Sequence, residues 1–222
     1  MEQTLKPLAG QSEQSGSDEE GRPVVPCWSC QGPVGEGSLF CSTCKAVQPP
    51  GQLDHFARFG LPAEYDLESA VLDRHYFDCQ RMLHPDRFAM RTPKERALSQ
   101  QQSVCVNEAY ETLKDPLKRA DYLVHLRGAG VLPEGCTLVN DQELLTESME
   151  LREALADAES LEDVDALDQR ATDDIRYCID ALSDVFRTDD LEGACRLTTR
   201  LKYLRKLSEE CRHHRAKMDK RE

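Results

Sequence analysis

The hydrophobic and polar positions from residue 54 onward follow the period of amphipathic helices. A short piece in "LDHFARFGL" ends at Gly60, and a longer one follows from Asp66, which we expect to be its N-cap. Because Pro85 cannot continue a helical hydrogen-bond ladder, this second helix is expected to end at His84. Its apolar face has steps of four, three and four residues and comprises Leu72, Tyr76, Cys79 and Leu83.

Two further helices are marked by their ends. Thr92 and Glu95 form the pattern of a capping box, with Pro93 at the first helical position. This helix is predicted to run through four apolar positions: Leu98, Cys105, Ala109 and Leu113. The pair Asp115-Pro116 opens the next helix, which Gly128 and Gly130 end.

The C-terminal part predicts three more helices with short connections, which together make a bundle. The first runs from about 141 to 159, the second starts at Ser160 with Asp163 as a capping residue, and the third follows 188–190. The second helix carries an apolar stripe of Leu161, Val164, Leu167, Ala171, Ile175, Ile179, Leu182 and Phe186. On the third helix the stripe is Leu197, Leu201, Leu204 and Cys211. The fold class is therefore all-α.

Leu145 and Met149 do not fit the core face of the first bundle helix. At about 100° per residue that face consists of Leu144, Ser148, Leu151, Leu155 and Ala158. Leu145 and Met149 fall off it, beside Glu150 and Glu153, and Tyr203 is displaced similarly from the stripe of the third helix. Exposed apolar residues with an acidic rim indicate a partner surface, whereas contact with another domain would bury them.

Charge is distributed unevenly along the chain. Residues 141–192 carry 18 acidic and 4 basic side chains, a net charge of -14, whereas 193–222 carry 10 basic and 4 acidic, a net of +6. The two segments are expected to face each other or different partners, although charged helix surfaces that serve only solubility explain the same pattern. An overall charge of -13 disfavours nucleic acid as a partner, and no apolar run is long enough to span a membrane.

Four of the ten cysteines form the pattern C-x-x-C, ten residues, C-x-x-C: Cys27, Cys30, Cys41 and Cys44. Two such knuckles complete the tetrahedral set of thiolates that zinc prefers, with no open position for catalysis. We expect one structural zinc ion; iron in the same ligands and redox-active thiols remain alternatives. The other six cysteines are interpreted as small buried apolar residues in a reducing compartment: Cys79, Cys105, Cys136, Cys178, Cys195 and Cys211.

The tripeptide His84, Pro85 and Asp86 lies between two predicted helices. An acid/base pair is disfavoured because no nucleophile, second carboxylate or oxyanion device is near in sequence. Together with "NEAYETLKDPLKRADYL", its position makes residues 54–130 resemble the J-domain of DnaJ-class co-chaperones. The resemblance implies that this loop docks on the ATPase domain of a heat-shock-protein-70-class chaperone, with positive charge from Arg74, Arg81 and Arg87, and that the protein is no enzyme.

The segments "ELLTESMELREAL" and "RLKYLRKL" after the J-domain resemble iron–sulfur cluster co-chaperones of the HscB type, and "CWSCQGP...FCSTCKAVQPP" resembles the zinc domain of their animal members. This likeness implies that the bundle binds the scaffold protein of cluster assembly through Leu145, Met149, Glu150, Glu153 and Tyr203. It also implies a mitochondrial chaperone partner and action in the matrix, although no presequence is visible and a cytoplasmic location stays open. Self-association is a further option.

The expected organisation is therefore a disordered segment (1–22), a four-cysteine zinc-binding domain (23–50), the J-domain (51–130), a linker (131–140), the three-helix bundle (141–216) and a tail (217–222). Two alternatives remain open. One is a J-protein that serves another client. The other is a zinc-ribbon protein associated with nucleic acid or transcription, which the scarcity of basic residues near the knuckles disfavours.

Overall fold

A computed structural model describes residues 23–129, 131–132, 135–136 and 141–219. The described chain is predominantly helical, which confirms the all-α prediction, with short β-hairpins added. Its helices are α1 (His55–Arg58), α2 (Ser69–Leu83), α3 (Pro85–Phe88), α4 (Pro93–Lys114), α5 (Pro116–Leu126), α6 (Gln142–Ala156), α7 (Leu161–Arg187) and α8 (Leu191–Met218). Its antiparallel hairpins pair β1 (Val24–Pro26) with β2 (Pro33–Gly35) and β3 (Val131–Leu132) with β4 (Gly135–Cys136).

The chain forms two compact units. The first contains residues up to Asp54 together with Asp78–Val106, and so holds the four-cysteine segment and the His-Pro-Asp sequence. The second contains His55–Phe77 and the chain from Asn107 onward, and so holds α5 and the C-terminal helices. No helix among the described residues is long and apolar enough to cross a membrane.

Helices α2 and α4 run antiparallel. In the first unit the hydroxyl of Ser99 donates to the carbonyl oxygen of Leu83 at 2.8 Å. In the second unit the rings of Tyr76 and Tyr110 stack with centroids 3.9 Å apart, and the hydroxyl of Tyr110 donates to Asp73 at 2.8 Å. The residues in contact move towards the N-terminus of α2 as they move towards the C-terminus of α4. The two helices therefore form the antiparallel hairpin that the sequence predicts.

The predicted helix ends are confirmed where the capping residues are close in sequence. Glu95 accepts from the backbone N–H of Thr92 at 3.1 Å, and the Thr92 hydroxyl accepts from the backbone N–H of Glu95 at 3.2 Å. Asp115 caps α5 through two backbone N–H groups, and Ser160 begins α7 with a capping box. Gly128, which follows α5, has a positive φ of 91°.

The predicted start of α2 at Asp66 is wrong. The helix begins at Ser69, and the Asp66 carboxylate accepts a hydrogen bond from the hydroxyl of Ser183 at 2.5 Å. The physical reason is the burial of Tyr65, which is only 4% exposed and stacks on Phe186 with centroids 5.2 Å apart. Packing on α7 therefore keeps the preceding segment out of the helix.

Helices α6, α7 and α8 form the predicted bundle. Helix α8 is also bordered by α5, so it buries a wide arc that includes Thr198, Thr199 and Leu201. Leu197, predicted for its core stripe, is only partly buried. The basic third helix does face the acidic first and second helices, because its arginines form ion pairs with Asp141, Glu143, Glu147, Asp165 and Asp174.

The six cysteines outside the two knuckles behave unequally. Cys79, Cys178 and Cys211 are buried, as predicted. Cys105 is only partly buried. Cys195 is buried as predicted, but it is disulfide-bonded, which disagrees with the reducing compartment that the sequence suggested. The predictions for residues 1–22, Gly130, the side chain of Cys136, most of the linker and the last three residues lie outside the described part of the chain.

Candidate functional sites

The two C-x-x-C turns of the first unit have the same backbone geometry. In the first, the backbone N–H of Gln31 donates to the carbonyl oxygen of Cys27 at 2.9 Å; in the second, that of Lys45 donates to Cys41 at 3.0 Å. Gln31 and Lys45 both have positive φ, at 63° and 61°. This left-handed residue after each second cysteine turns the chain sharply enough for both thiols of a knuckle to face one point.

The four thiols lie close enough to share one metal ion. All four sulfur atoms are within 4.8 Å of one another, with Cys27 to Cys44 at 3.7 Å and Cys30 to Cys41 at 3.8 Å. A sulfur tetrahedron with metal–sulfur bonds of about 2.3 Å has edges of about 3.8 Å. The donor set therefore fits a tetrahedral divalent cation, and Cys27 and Cys41 are fully buried.

The thiols differ in their electrostatic surroundings. Burial raises the pKa of Cys27, but hydrogen bonds from the backbone N–H groups of Cys30 and Ser29 and from neighbouring side chains lower its pKa to about 6. The backbone N–H of Gly32 lowers the pKa of Cys30, yet hydrogen bonding with the other thiols raises it to about 11. Without a cation the set thus holds fewer than four thiolates, whereas a metal binds the deprotonated form of each.

Gln48 is a residue of this site that the sequence did not reveal. It is 4% exposed, and its side-chain amide donates to Sγ of Cys27 at 3.3 Å and to the carbonyl oxygen of Ala46 at 2.8 Å. Nothing in its local sequence distinguishes Gln48 from an ordinary polar residue.

The His-Pro-Asp sequence was expected in an open loop, but residues from Pro85 fold into the single helical turn α3. His84 is its N-cap, and Nδ1 of His84 accepts from the backbone N–H of Asp86 at 3.3 Å. Pro85 occupies the first turn, where its missing N–H has no intrahelical partner to lose. Phe88 is buried and anchors the turn, while the Asp86 side chain is 90% exposed.

The predicted arginines are placed as follows. Arg87 donates from Nη1 to the carbonyl oxygen of Arg81 at 3.5 Å, so these two residues lie together beside α3. Arg81 also lies 3.6 Å from the carboxylate of Asp78, which offsets part of its charge. Arg74 is exposed in the second unit, on the helix face of α2 that also carries Arg81.

The exposed face of α6 contains the residues predicted from its helical wheel. Leu145 is 42% exposed and Met149 is 61% exposed, whereas Leu144, Ser148, Leu151 and Leu155 are buried. Glu150 and Glu153 are exposed as well. The exposure of Leu145 and Met149 thus agrees with the wheel.

The register between α6 and α8 gives the level of Tyr203 along α6. Arg196 contacts Glu143 at 2.9 Å and Arg200 contacts Glu147 at 2.7 Å, and each pair is separated by 53 positions. The same separation brings Tyr203 level with Glu150. We name this set, which comprises Leu145, Met149, Glu150, Glu153 and Tyr203, the α6 patch.

Comparisons with known proteins found relatives that match most of this chain. A family model described as "HSCB C-terminal oligomerisation domain" matches residues 140–212. The human iron-sulfur cluster co-chaperone protein HscB is 34% identical over 187 residues, which cover 82% of this chain and 79% of that protein. The crystal structure of human HscB matches with a TM-score of 0.77 at 32% identity, covering 85% of this chain and 97% of that one. The Vibrio cholerae chaperone HscB matches with a TM-score of 0.62 at 33% identity, covering 72% and 96%.

Proposed function

Because the chain belongs to the HscB family of iron–sulfur cluster co-chaperones, we propose that it couples a chaperone of the heat-shock-protein-70 class to the scaffold protein of cluster assembly. In this proposal it turns over no substrate. Docking of the His-Pro-Asp turn stimulates the chaperone ATPase, and the bundle delivers the scaffold to the chaperone. Holding both partners on one chain raises their effective concentration for each other.

The geometry of α3 carries the chaperone half of this proposal. A capped turn held by His84 and anchored by Phe88 presents Asp86 with its carboxylate 90% exposed. Such an acid is available to an arginine of a partner at little conformational cost, since the turn is already ordered. Arg81 and Arg87 beside it would favour an acidic partner surface.

The α6 patch supports the scaffold half. Leu145 and Met149 offer apolar area that folding leaves uncovered among the described residues, and Glu150 and Glu153 would attract a basic rim on the partner. The matched family description mentions oligomerisation, so a second copy of the chain is the competing occupant of this surface.

For the four-cysteine site we propose one structural zinc ion held by Cys27, Cys30, Cys41 and Cys44. A closed set of four thiolates cross-links the segment and leaves no open coordination position on the metal.

We also propose that the protein acts in the mitochondrial matrix. Subcellular fractionation tests this location, and a cytoplasmic pool is the competing outcome.

An ATPase assay of the chaperone, with and without scaffold, tests the central proposal. The wild-type protein should stimulate hydrolysis, and scaffold should increase the stimulation further. His84→Gln should return the rate to that of the chaperone alone while scaffold binding is unchanged. His125→Gln is the matched control, because His125 is an exposed helical residue far in sequence from α3. If His84→Gln loses both ATPase stimulation and scaffold binding, or loses neither, the proposed division of roles is contradicted.

A further inference from the structure

Gln48 connects the four-cysteine site to helix α4 within the first unit. Its side-chain amide donates to Sγ of Cys27 at 3.3 Å, while its backbone carbonyl oxygen accepts from Nε2 of Gln102 at 2.9 Å. One buried residue therefore contacts a candidate metal ligand with its side chain and a long helix with its backbone.

Gln102 is an unusual residue for its position on α4. It is fully buried, and its side-chain oxygen Oε1 has no hydrogen-bond partner among the described residues. A buried amide with one unsatisfied atom contributes less to the stability of the folded chain than an apolar residue of similar shape would. Packing of α4 therefore does not explain why a glutamine occupies position 102, whereas the hydrogen bond from Gln102 to Gln48 does.

From Gln102 the contacts continue to the base of the His-Pro-Asp turn. Ser99 lies three residues earlier on the same face of α4, and its hydroxyl donates to the carbonyl oxygen of Leu83 at 2.8 Å. Leu83 is fully buried and is the last residue of α2, directly before His84. A continuous set of hydrogen bonds and one helical turn thus joins the four-cysteine site to the residue that precedes the turn.

A second contact joins the same two parts of the unit. Nζ of Lys94, in the first turn of α4, lies 4.1 Å from the centroid of the Trp28 ring. Trp28 belongs to the first knuckle, and its indole N–H donates to the carbonyl oxygen of Val47 at 2.7 Å. Two points of α4, about two helical turns apart, are therefore held by the four-cysteine segment.

We propose that the four-cysteine site supports the His-Pro-Asp turn, and that Gln48 and Gln102 are the positioning residues through which it does so. When the four thiolates hold a metal, the knuckle of Cys27 is fixed, Gln48 is fixed by Cys27, and α4 is held against Leu83. When the metal leaves, these restraints are lost and residues 83–92 become less ordered. Only the consequence for the chaperone rests on the proposed function, because the effect on the turn itself is a property of this chain.

Hydrogen exchange of the full chain, measured by mass spectrometry, tests the support directly. Gln102→Leu removes the hydrogen bond to the Gln48 carbonyl oxygen and also the unsatisfied oxygen Oε1. Because the loss of Oε1 offsets part of the cost of leaving that carbonyl without its donor, the variant should fold, with a melting temperature only slightly below that of the wild type. Gln101→Ala is the matched control at the adjacent, exposed position. Exchange of residues 83–92 is compared with zinc bound and after treatment with a chelator.

In the wild type and in Gln101→Ala, chelation should speed exchange of residues 83–92 about tenfold. In Gln102→Leu, exchange should already be fast with zinc bound, and chelation should change it less than about twofold. The proposal is overturned if chelation affects only residues 23–50 in the wild type, or if Gln102→Leu responds as the wild type does.

The chaperone provides a second test through reciprocity. If metal binding favours the docking form of the turn, chaperone binding must favour metal binding by the same factor. The chaperone should therefore lower the Kd for zinc, measured at equilibrium by competition with a chromophoric chelator, in the wild type but not in Gln102→Leu or His84→Gln. A chaperone that binds yet lowers the Kd for zinc equally in the wild type and Gln102→Leu would overturn the coupling. Failure of the proposed function would appear separately, as stimulation that His84→Gln does not change.

Discussion

Nη1 of Arg205 on α8 donates to both carboxylate oxygens of Asp115, the residue directly before α5, at 2.9 and 2.7 Å. Asp115 is also the N-cap of α5 and accepts from the backbone N–H groups of Leu117 and Lys118. Burial raises the pKa of this carboxyl, but the hydrogen bonds from Arg205 and from the backbone outweigh burial and lower its pKa. One carboxylate therefore starts α5 and fixes it to the C-terminal bundle.

Replacing Arg205 with leucine should loosen the packing of α5 on α8. The carboxylate would keep its helix cap but lose its charged partner, and we expect the free energy of unfolding to fall by about 1–2 kcal/mol, since both side chains are about one-third exposed. Urea denaturation at neutral pH measures this. Arg212→Leu on the same helix should change stability much less, because within the described part of the chain Arg212 donates only to the backbone carbonyl oxygen of Ser208.

The effect of Arg205→Leu should depend on pH in a defined direction. The folded pKa of Asp115 is lowered below its unfolded value of about 3.9, so the pair contributes fully above that pH and loses its contribution as pH falls through the folded pKa. The stability gap between the wild type and Arg205→Leu should be constant near neutrality and close in acid. A gap that survives full protonation of the carboxylate would show that the ion pair is not its cause.

The parts of this fold that were predictable from sequence depend on neighbours a few residues apart. The capping pairs Thr92 with Glu95 and Ser160 with Asp163 were predicted because both members of each pair belong to one helical turn. The close approach of the two thiols within each C-x-x-C knuckle was predictable for the same reason, since each knuckle is a local turn, whereas the meeting of the two knuckles was inferred from the number of ligands that a metal ion needs.

What sequence did not reveal depends on contacts between distant segments. The start of α2 moves to Ser69 because Tyr65 packs on Phe186, and no local signal at Asp66 reports that contact. Gln48 and Gln102 look like ordinary polar residues, yet both are buried, and they form a hydrogen bond across 54 positions. Charge pattern indicated that the acidic and basic segments face each other, but not which pairs form.

Among the ion-paired residues of the bundle, Arg200 should contribute most to the free energy of unfolding. Its guanidinium lies 2.7 Å from Glu147 of α6 and 3.5 Å from Asp174 of α7, with the arginine side chain 21% exposed. The hydrogen bond and charge of Glu147 raise the pKa of Arg200, so it is charged at all working pH values. Arg200→Met would leave two partly buried carboxylates without their cation.

We expect Arg200→Met to lower the free energy of unfolding by about 3 kcal/mol. Arg152→Met is the matched control, because Arg152 is 43% exposed and lies 3.7 Å from Glu210, a geometry that contributes little. Parallel urea titrations measure both. If the free energy of unfolding falls by a similar amount in both variants, the ion pairs of Arg200 do not contribute more than the exposed pair of Arg152, and apolar burial accounts for the packing of α6.

Metal analysis of the purified protein should give one zinc per chain. Bound iron would instead produce visible thiolate absorption. Cys41→Ser removes a buried ligand and should release the metal and unfold residues 23–50, as detected by elemental analysis and hydrogen exchange. Cys105→Ser, which alters a partly buried thiol of α4, should keep the full zinc content. Full zinc content in Cys41→Ser would exclude the four-thiolate site.

The apolar residues of the α6 patch are expected to contribute to scaffold binding and hardly at all to folding. Leu145 and Met149 are 42% and 61% exposed, so replacing both with alanine removes little buried area and should leave the melting temperature nearly unchanged. Binding of the scaffold should weaken by about 2 kcal/mol, or about 30-fold in Kd, because apolar anchors within a charged rim carry most of an interface's affinity. Calorimetric titration with purified scaffold measures the change.

Tyr177→Ala is the matched control for the double variant, because Tyr177 is a large side chain, 63% exposed, on α7. It should bind scaffold as the wild type does. ATPase stimulation without scaffold should be unchanged in both variants, since neither alters α3. If the double alanine variant instead binds scaffold normally but no longer self-associates in light scattering, the α6 patch is an interface between copies of this chain, and the scaffold must bind elsewhere.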